Sequence, residues 1–258
     1  MQLDIATANI LGMLLALART GAWVAISPPF STRLIPGTVK AAIAIALALP
    51  IAPSLSSDMA DADFAVLFTQ ITVQVLAGAA LGFATMVIFA AVQAAGDLID
   101  LFGGFSLASA LDPLSMQNNS VFARIHQLLA TTLLFVLDLH LTVINGFLDS
   151  FRTLPLGLSP SIAKIAEVLV HDIGVFFLSA VQIAGPLIGV FFLADVGLGL
   201  LTRIAPALNA FQLGFPVKIL LTLVLVGLTF PLLPGILTSL VDVIVESGGA
   251  IARSRGGG

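Results

Sequence analysis

Long apolar stretches separated by short polar breaks run through the whole chain. The ranges 64–96, 173–194 and 219–241 contain no charged residue, and each has the roughly 20 residues that a helix needs to cross a bilayer. As one helix, 64–96 would measure roughly 50 Å, so it must extend beyond the hydrocarbon layer or break. The pattern predicts an all-α membrane protein built from helices of unequal length.

Other segments are shorter or interrupted. An apolar helix over 5–27 carries Arg19 and ends at a pair of prolines, which stop a helix. The apolar segment 41–53 is too short for a full span. The range 126–148 reads as a further apolar helix, and 149–172 reads as a mixed loop containing a short amphipathic helix. We therefore expect broken and kinked helices in the first part of the chain.

The regularity of the pattern divides the chain into two parts. Residues 1–172 are irregular and include the polar central stretch 96–124, whereas 173–258 reads as a regular helical hairpin with a tail. Gly78 with Gly82, and Gly185 with Gly189, have the spacing that lets membrane helices approach closely. The first pair is explained either by close helix packing or by the general abundance of glycine in membrane helices.

Basic residues in the polar breaks predict an orientation. Arg33 with Lys40, and Arg203 with Lys218, are assigned to the cytoplasmic side by the positive-inside rule. Six spans would then place both termini outside, although the arginines near the C-terminus disagree with that assignment.

Composition narrows the class of protein. Of 258 residues, 59% are hydrophobic and 9% are charged, against about 25% charged in soluble domains. The net charge of −4 forms no basic patch, which argues against nucleic-acid binding. Without cysteine there is no disulfide framework or thiolate metal site. Because no nucleotide, cofactor or catalytic motif is found, we expect a non-enzymatic protein without cofactor or metal.

The candidate polar residues are concentrated in the central stretch. Asp97 and Asp100 share a helix face, so they could bind a cation or a proton, but we favour hydrogen bonding or capping at a subunit contact. Asp138 and His140 are further ionisable residues within an apolar segment, where an unpaired charge is costly. We expect each to have a partner in the folded protein.

Several segments together resemble a known family. The most specific is AGDLIDLFGGFSLASALDP at 95–113; the others lie at 27–53, 139–157 and 205–218. In order and spacing they resemble the FliR family of the flagellar type III secretion export gate, whose relatives in injectisomes are the SpaR/YscT-type proteins. The chain departs from the family's Gly-His pattern at Asp138, where glycine is missing.

The resemblance implies an architecture and partners. It implies a FliP-like part followed by a FliQ-like C-terminal hairpin, assembled with FliP- and FliQ-type subunits in a helical complex of the bacterial inner membrane. It also implies contact with a FlhB-type protein through the hairpin tip, with the residues Pro206, Asn209, Gln212, Pro216 and Lys218.

The resemblance further implies a gate for unfolded export substrates in the flagellar basal body. Its channel plug would consist of Phe105, Ser106, Leu107, Ala108, Ser109, Ala110, Leu111, Asp112, Pro113, Leu114 and Ser115. The alternative function is a proton-coupled secondary transporter that uses Asp97, Asp100, Asp138 and Asp195. Transporters usually show two related halves with interrupted helices at matching positions, and no such repeat is visible here.

Overall fold

The computed structural model describes residues 2–51, 64–106, 120–155, 159–205 and 210–254, excluding the side chains of 2–9 and 210–213. Within these ranges the chain forms helices and no β-strand, as the apolar pattern predicts. The α-helices are α1 Gln2–Ile26, α2 Gly37–Ala48, α3 Phe64–Phe102, α4 Val121–Val136, α5 Leu139–Thr153, α6 Ile162–Ile204, α7 Ala210–Leu225 and α8 Leu233–Arg253.

Two compact units make up the chain. The first contains residues 1–88, 138–173 and 240–258, and the second contains residues 89–137 and 174–239. Each unit therefore draws on both halves of the sequence, since α3 and α6 each contribute residues to both units. The sequential division at residue 172 that pattern regularity predicts stays a prediction.

In the first unit, α1 packs against α3 through the glycine pair on α3. A Cβ atom at Gly78 would overlap the carbonyl oxygen of Arg19, and one at Gly82 would lie 3.1 Å from the Trp23 carbonyl oxygen. Only residues without a side chain permit this backbone approach. The close packing predicted from the Gly78–Gly82 spacing is confirmed, and Ala77, Leu81 and Ala84 are buried around it.

A buried arginine ties three helices of this unit together. Arg19 is fully buried, and its Nε donates to Gln74 Oε1 at 2.7 Å. Its terminal nitrogens donate to the carbonyl oxygens of Ser150 at 3.1 Å and Leu154 at 2.9 Å. The last carbonyls of a helix lack partners within that helix, so the guanidinium serves as a C-terminal cap for α5.

In the second unit, α3 and α4 meet at a second glycine. A Cβ atom at Gly96 would overlap the backbone of Phe122 and Ala123, so this position also requires the absence of a side chain. Farther along, Gly103 lies close to Thr222 of α7, and Gly104 ends the helix with a positive φ of 87°. The glycines of the central stretch thus bring α3 into contact with α4 and α7.

The number of conventional spans is smaller than six within the described ranges. Three stretches are long and apolar enough to cross a membrane: Phe64–Phe102, Ile162–Ile204 and Gly214–Arg253. The helices α4 and α5 could form a fourth, broken span, and the segments Ile10–Ile26 and Gly37–Ala48 are shorter. The charge-free stretch 64–96 lies within one unbroken helix, Phe64–Phe102, of 39 residues, so it extends rather than breaks.

Two segments differ from their predicted structure. The range 126–148 is not one helix, because α4 ends at Val136 and α5 begins at Leu139. Between them Asp138 has a φ of 55°, a left-handed conformation that interrupts a helix and favours glycine or a short polar residue. The range 149–172 is mostly helical rather than a loop, since the residues read as a short amphipathic helix form the first turns of the 43-residue α6.

Candidate functional site

A buried carboxylate joins the two ends of the central stretch. Asp100, near the end of α3, accepts hydrogen bonds from the Ser120 hydroxyl and from the backbone N–H of Phe122, the latter at 3.0 Å. Ser120 is itself the N-cap of α4 and accepts from the Ala123 N–H at 3.4 Å. We call Asp100, Ser120 and Phe122 the Asp100 clasp.

Local physics explains why the clasp forms here. The first N–H groups of a helix have no partner within it, and the helix dipole favours a negative charge at that end. Gly96 lies one turn before Asp100 on α3 and lets α4 approach closely enough for the carboxylate to reach. Asp100 is 2% exposed, so its charge depends on these donors. One of its oxygens, Oδ1, is buried without a hydrogen-bond partner among the described residues.

A buried histidine extends this polar site to the second hairpin helix. The His126 Nδ1 lies 2.8 Å from the Phe122 carbonyl oxygen, and its Nε2 lies 3.1 Å from the Thr229 hydroxyl. A carbonyl oxygen only accepts, so Nδ1 carries a proton. Thr229 also donates to the Val226 carbonyl oxygen at 2.7 Å, and its single hydrogen can serve either Val226 or His126.

Both protonation states of this imidazole can therefore be hydrogen-bonded. A neutral His126 accepts from the rotated Thr229 hydroxyl, and a doubly protonated one donates to it. Thr229 lies between two 3-10 turns, Val226–Leu228 and Phe230–Leu232, that separate α7 from α8. A 3-10 break therefore surrounds Pro231, and a histidine from α4 is hydrogen-bonded within this break.

The clasp fixes both ends of the segment that contains the predicted plug. Of the plug residues 105–115, the described ones are Phe105 and Ser106, which follow Gly104. The Phe105 ring meets the Phe122 ring edge-on, with centroids 5.1 Å apart. The residues from 107 onward lie outside the described ranges, so the plug remains a prediction.

The other polar residues singled out by sequence are more exposed than Asp100. Asp97 is exposed, although it shares the α3 face with Asp100. Asp138 is exposed at the start of α5, and His140 in its first turn is half-buried. Asp195 is not buried either, with a side chain 54% exposed that pairs with Lys218 at 2.8 Å. The ion-coupling role that the transporter alternative gives to these carboxylates stays a prediction.

The predicted hairpin tip is only partly described. Pro206 and Asn209 lie outside the described residues, as does the side chain of Gln212. Pro216 lies inside α7, and Lys218 in the same helix makes the ion pair with Asp195 of α6. Helix α6 continues to Ile204, and α7 begins at Ala210.

Sequence reasoning missed three contributors to the buried polar sites. Ser120 has the signature of an N-cap, a serine directly before an apolar helix, and could have been found by that rule. Thr229 carries no such signal, since its role depends on a histidine about one hundred residues away in sequence. Asp172 is fully buried and accepts from Ser247 at 2.7 Å, although its neighbours suggested a solvated face.

The buried polar groups described above make contacts that stabilise helix ends and join helices. Groups of three or more His, Asp or Glu side chains that could hold a metal are absent from the described ranges. The buried polar groups cap helix ends and join helices: Asp100 at the start of α4 and Arg19 at the end of α5. Together with three long apolar helices, this defines an all-helical integral membrane protein whose polar core residues hold helices in place.

Comparison with known proteins identifies the family. Residues 10–244 match the family described as bacterial export proteins, family 1, and the chain belongs to it. The flagellar biosynthetic protein FliR of Escherichia coli K12 is 36% identical over 84% of this chain and 83% of its own. FliR of Pectobacterium carotovorum is 33% identical over 83% of this chain and 82% of its own.

A relative from another secretion system matches over a similar length. The Yop proteins translocation protein T of Yersinia pestis is 28% identical over 83% of this chain and 84% of its own. The resemblance to the FliR family, inferred from the central stretch and three flanking segments, is confirmed. The predicted kinship with injectisome proteins of the YscT type is confirmed as well.

Proposed function

We propose that this protein is a subunit of the flagellar type III protein export gate, where it forms and gates part of the channel for unfolded flagellar proteins. The observation that carries this proposal is the 36% identity with a flagellar biosynthetic protein over 84% of the chain. The family match over residues 10–244 includes the central stretch and the glycine contacts of α3.

The gating step assigned to the central stretch rests on the Asp100 clasp. Residues 105–115 would close the pore in the resting state, and an entering substrate would displace them. Small residues at Ser106, Ala108, Ser109 and Ala110 would let the plug pack and move. A displaceable segment needs fixed ends, and the clasp supplies them through the contact of Asp100 with Ser120 and Phe122.

The proposed partners are FliP- and FliQ-type subunits, a FlhB-type protein and unfolded export substrates, in the inner membrane at the flagellar basal body. The FliP-like and FliQ-like parts would be residues 1–172 and 173–258. The exposed apolar residues of α6 are available for lipid or for such subunits, and Phe192 and Leu193 are 66% and 68% exposed. Energy would come from the proton-motive force and an ATPase elsewhere in the apparatus.

Co-expression tests the subunit assignment. The tagged chain is purified alone and together with the neighbouring membrane proteins of its operon, and each preparation is weighed by native mass spectrometry. The expected result is a defined hetero-oligomer that contains FliP- and FliQ-type subunits. A stable lone monomer or homodimer under both conditions would overturn the proposal.

Ion leakage tests the plug. Removing residues 107–115 is expected to collapse the membrane potential of cells that express the complex, measured with a potential-sensitive dye. The control replaces the same residues with a glycine-serine segment of equal length, which should leak less because it still occupies the pore. An intact ion barrier after the deletion would count against the plug while leaving the subunit assignment standing.

A further inference from the structure

A half-open cavity of about 820 Å³ lies in the first unit beside the C-terminal half of α5. Its polar wall is one face of that helix, where Asn145, Asp149 and Arg152 are spaced by four and three residues. Known small-molecule sites have about 300–1,000 Å³. The apolar part of the wall includes Ile51, Leu148 and Phe151.

The charge of a buried arginine lies directly behind this wall. The Cζ atom of Arg19 lies 4.3 Å from the centroid of the Phe151 ring, whose residue lines the cavity. Within the described ranges, the hydrogen bonds of the guanidinium go to the neutral oxygens of Gln74, Ser150 and Leu154. These bonds use three of its five N–H donors, and they leave its positive charge without a hydrogen-bonded anion among the described residues.

The two charges on the cavity wall largely cancel each other. Arg152 Nη1 lies 3.5 Å from Asp149 Oδ1, and the two side chains are 87% and 66% exposed. Counting Arg19, Arg152 and Asp149, the cavity and its wall carry a net charge of one positive unit. An exposed ion pair of this kind is weak and opens easily. Arg152 is therefore available to a stronger anionic partner.

We propose that this cavity binds the phosphate group of an anionic phospholipid. The Arg152 guanidinium has the planar fork that binds phosphate oxygens in pairs. Arg19 adds attraction through the low-dielectric interior without touching the ligand. Asn145 supplies an amide for the ester or headgroup oxygens.

The apolar part of the wall favours a lipid over a free phosphate ion. A free phosphate would leave the half-buried Ile51 and Leu148 uncovered, whereas the first methylene groups of a lipid tail would cover them. The cavity lies beside the C-terminal half of α5, the second helix of a possible broken span, and the proposal places it where headgroups and acyl chains meet.

Native mass spectrometry with added lipid tests the proposal. The delipidated full chain in detergent is titrated with phosphatidylglycerol, and with phosphatidylcholine as the zwitterionic comparison. We expect Arg152→Gln to weaken phosphatidylglycerol binding about tenfold, since one charge-assisted pair is lost. The control is Arg33→Gln, an exposed arginine of the same unit outside the cavity, which should bind as the original chain does.

A second variant is expected to change phosphatidylglycerol binding in the opposite direction. Asp149→Asn releases Arg152 and removes a negative charge, so it should tighten phosphatidylglycerol binding by about two- to fivefold. A purely structural role of the ion pair would make both variants bind alike. Equal binding by Arg152→Gln, Asp149→Asn and Arg33→Gln would overturn the proposal.

A competition experiment distinguishes a phospholipid from free phosphate as the ligand of the cavity. Inorganic phosphate is added up to millimolar concentration during the phosphatidylglycerol titration. No competition supports the lipid as ligand. Competition that Arg152→Gln abolishes, together with equal affinity for inorganic phosphate and lipid, would overturn the lipid assignment in favour of a small anion.

Discussion

At the scale of single residues, the protein uses charged side chains as caps for helix ends. Asp100 accepts from the first N–H groups around α4, where the helix dipole favours an anion, and Arg19 donates to the last carbonyls of α5, where it favours a cation. Each charge is buried, and each is stabilised by backbone groups that a membrane environment would otherwise leave unpaired. These residues were recognisable as unusual from sequence, but the groups that they bind were not.

Replacing Asp100 tests its role as a cap. Asp100→Ala removes the acceptor for Phe122 N–H and Ser120 Oγ, so we expect a stability loss of about 1 kcal/mol or somewhat more. The matched control is Asp97→Ala, an exposed carboxylate on the same helix, with little effect expected. The measurement is the midpoint of thermal unfolding in detergent. Equal midpoints for the two variants would contradict the clasp.

Replacing Arg19 by lysine tests the geometry of its hydrogen bonds. The three acceptors lie around a planar guanidinium, and a lysine ammonium cannot reach all of them from one position. We expect Arg19→Lys to lower the free energy of unfolding by about 2 kcal/mol, because buried oxygens lose their donors. Arg33→Lys, at an exposed site, should be neutral. Denaturant unfolding of both variants makes the comparison, and a neutral Arg19→Lys would refute it.

At the scale of elements, glycines with the same spacing serve different surfaces. Gly78 and Gly82 bring α3 against α1, whereas Gly185 and Gly189 have no atom within 4 Å of a Cβ placed on them. The first pair is an internal contact, and the second is an open groove on α6. Sequence spacing identifies both pairs as able to pack closely, but only the folded chain reveals which pair is already occupied.

Alanine substitutions separate the two pairs. Gly78→Ala should destabilise the chain, because the added methyl group meets the Arg19 carbonyl oxygen in backbone that cannot easily move. Gly185→Ala adds the same methyl group in open space and should be neutral or stabilise by up to about 1 kcal/mol, as alanine favours helix. Thermal unfolding in detergent compares the two. Destabilisation by Gly185→Ala equal to that by Gly78→Ala would show that α6 has an unseen contact within the chain.

At the scale of the whole molecule, burial is uneven among the long apolar helices. The most apolar window of Phe64–Phe102 is 61% buried, but those of Ile162–Ile204 and Gly214–Arg253 are 33% and 17% buried. The C-terminal hairpin therefore leaves most of its apolar surface for lipid or for other subunits. Under the proposed function, the open glycine groove of α6 belongs to a contact with a neighbouring subunit.

A bulky residue in that groove tests the contact. The Cβ atom of Gly185→Leu has no atom of the described chain within 4 Å, so we expect the purified chain alone to unfold as the original does. Its association with FliP- and FliQ-type subunits should weaken by at least about tenfold, since a leucine holds the helices apart. Co-purification yield and native mass spectrometry give the comparison, with Gly235→Leu as the control at another open glycine. Unchanged assembly of Gly185→Leu would place the contact elsewhere.

The sequence predicted the helical membrane class and the family, but only part of the site. Charge-free stretches define apolar helices directly, so α3 and α6 were expected, although the full length of α6 was not. The break between α4 and α5 at Asp138 was missed, because a single left-handed residue inside an apolar segment does not change the hydrophobic pattern of the sequence. Asp100 was singled out, whereas Thr229 and Asp172 were not, because their roles depend on partners distant in sequence.

The sequence alone determined which segments can lie in a hydrocarbon environment, because those segments consist of apolar side chains. It also determined where helices can approach each other or end, through the positions of glycine and proline. It also carried the order of motifs that marks the family. Only the tertiary structure decided which partner each buried polar group has. Hydrogen bonding is a short-range property of atoms from separate helices, so the pairing of Arg19 with Leu154, or of His126 with Thr229, depends on how those helices pack.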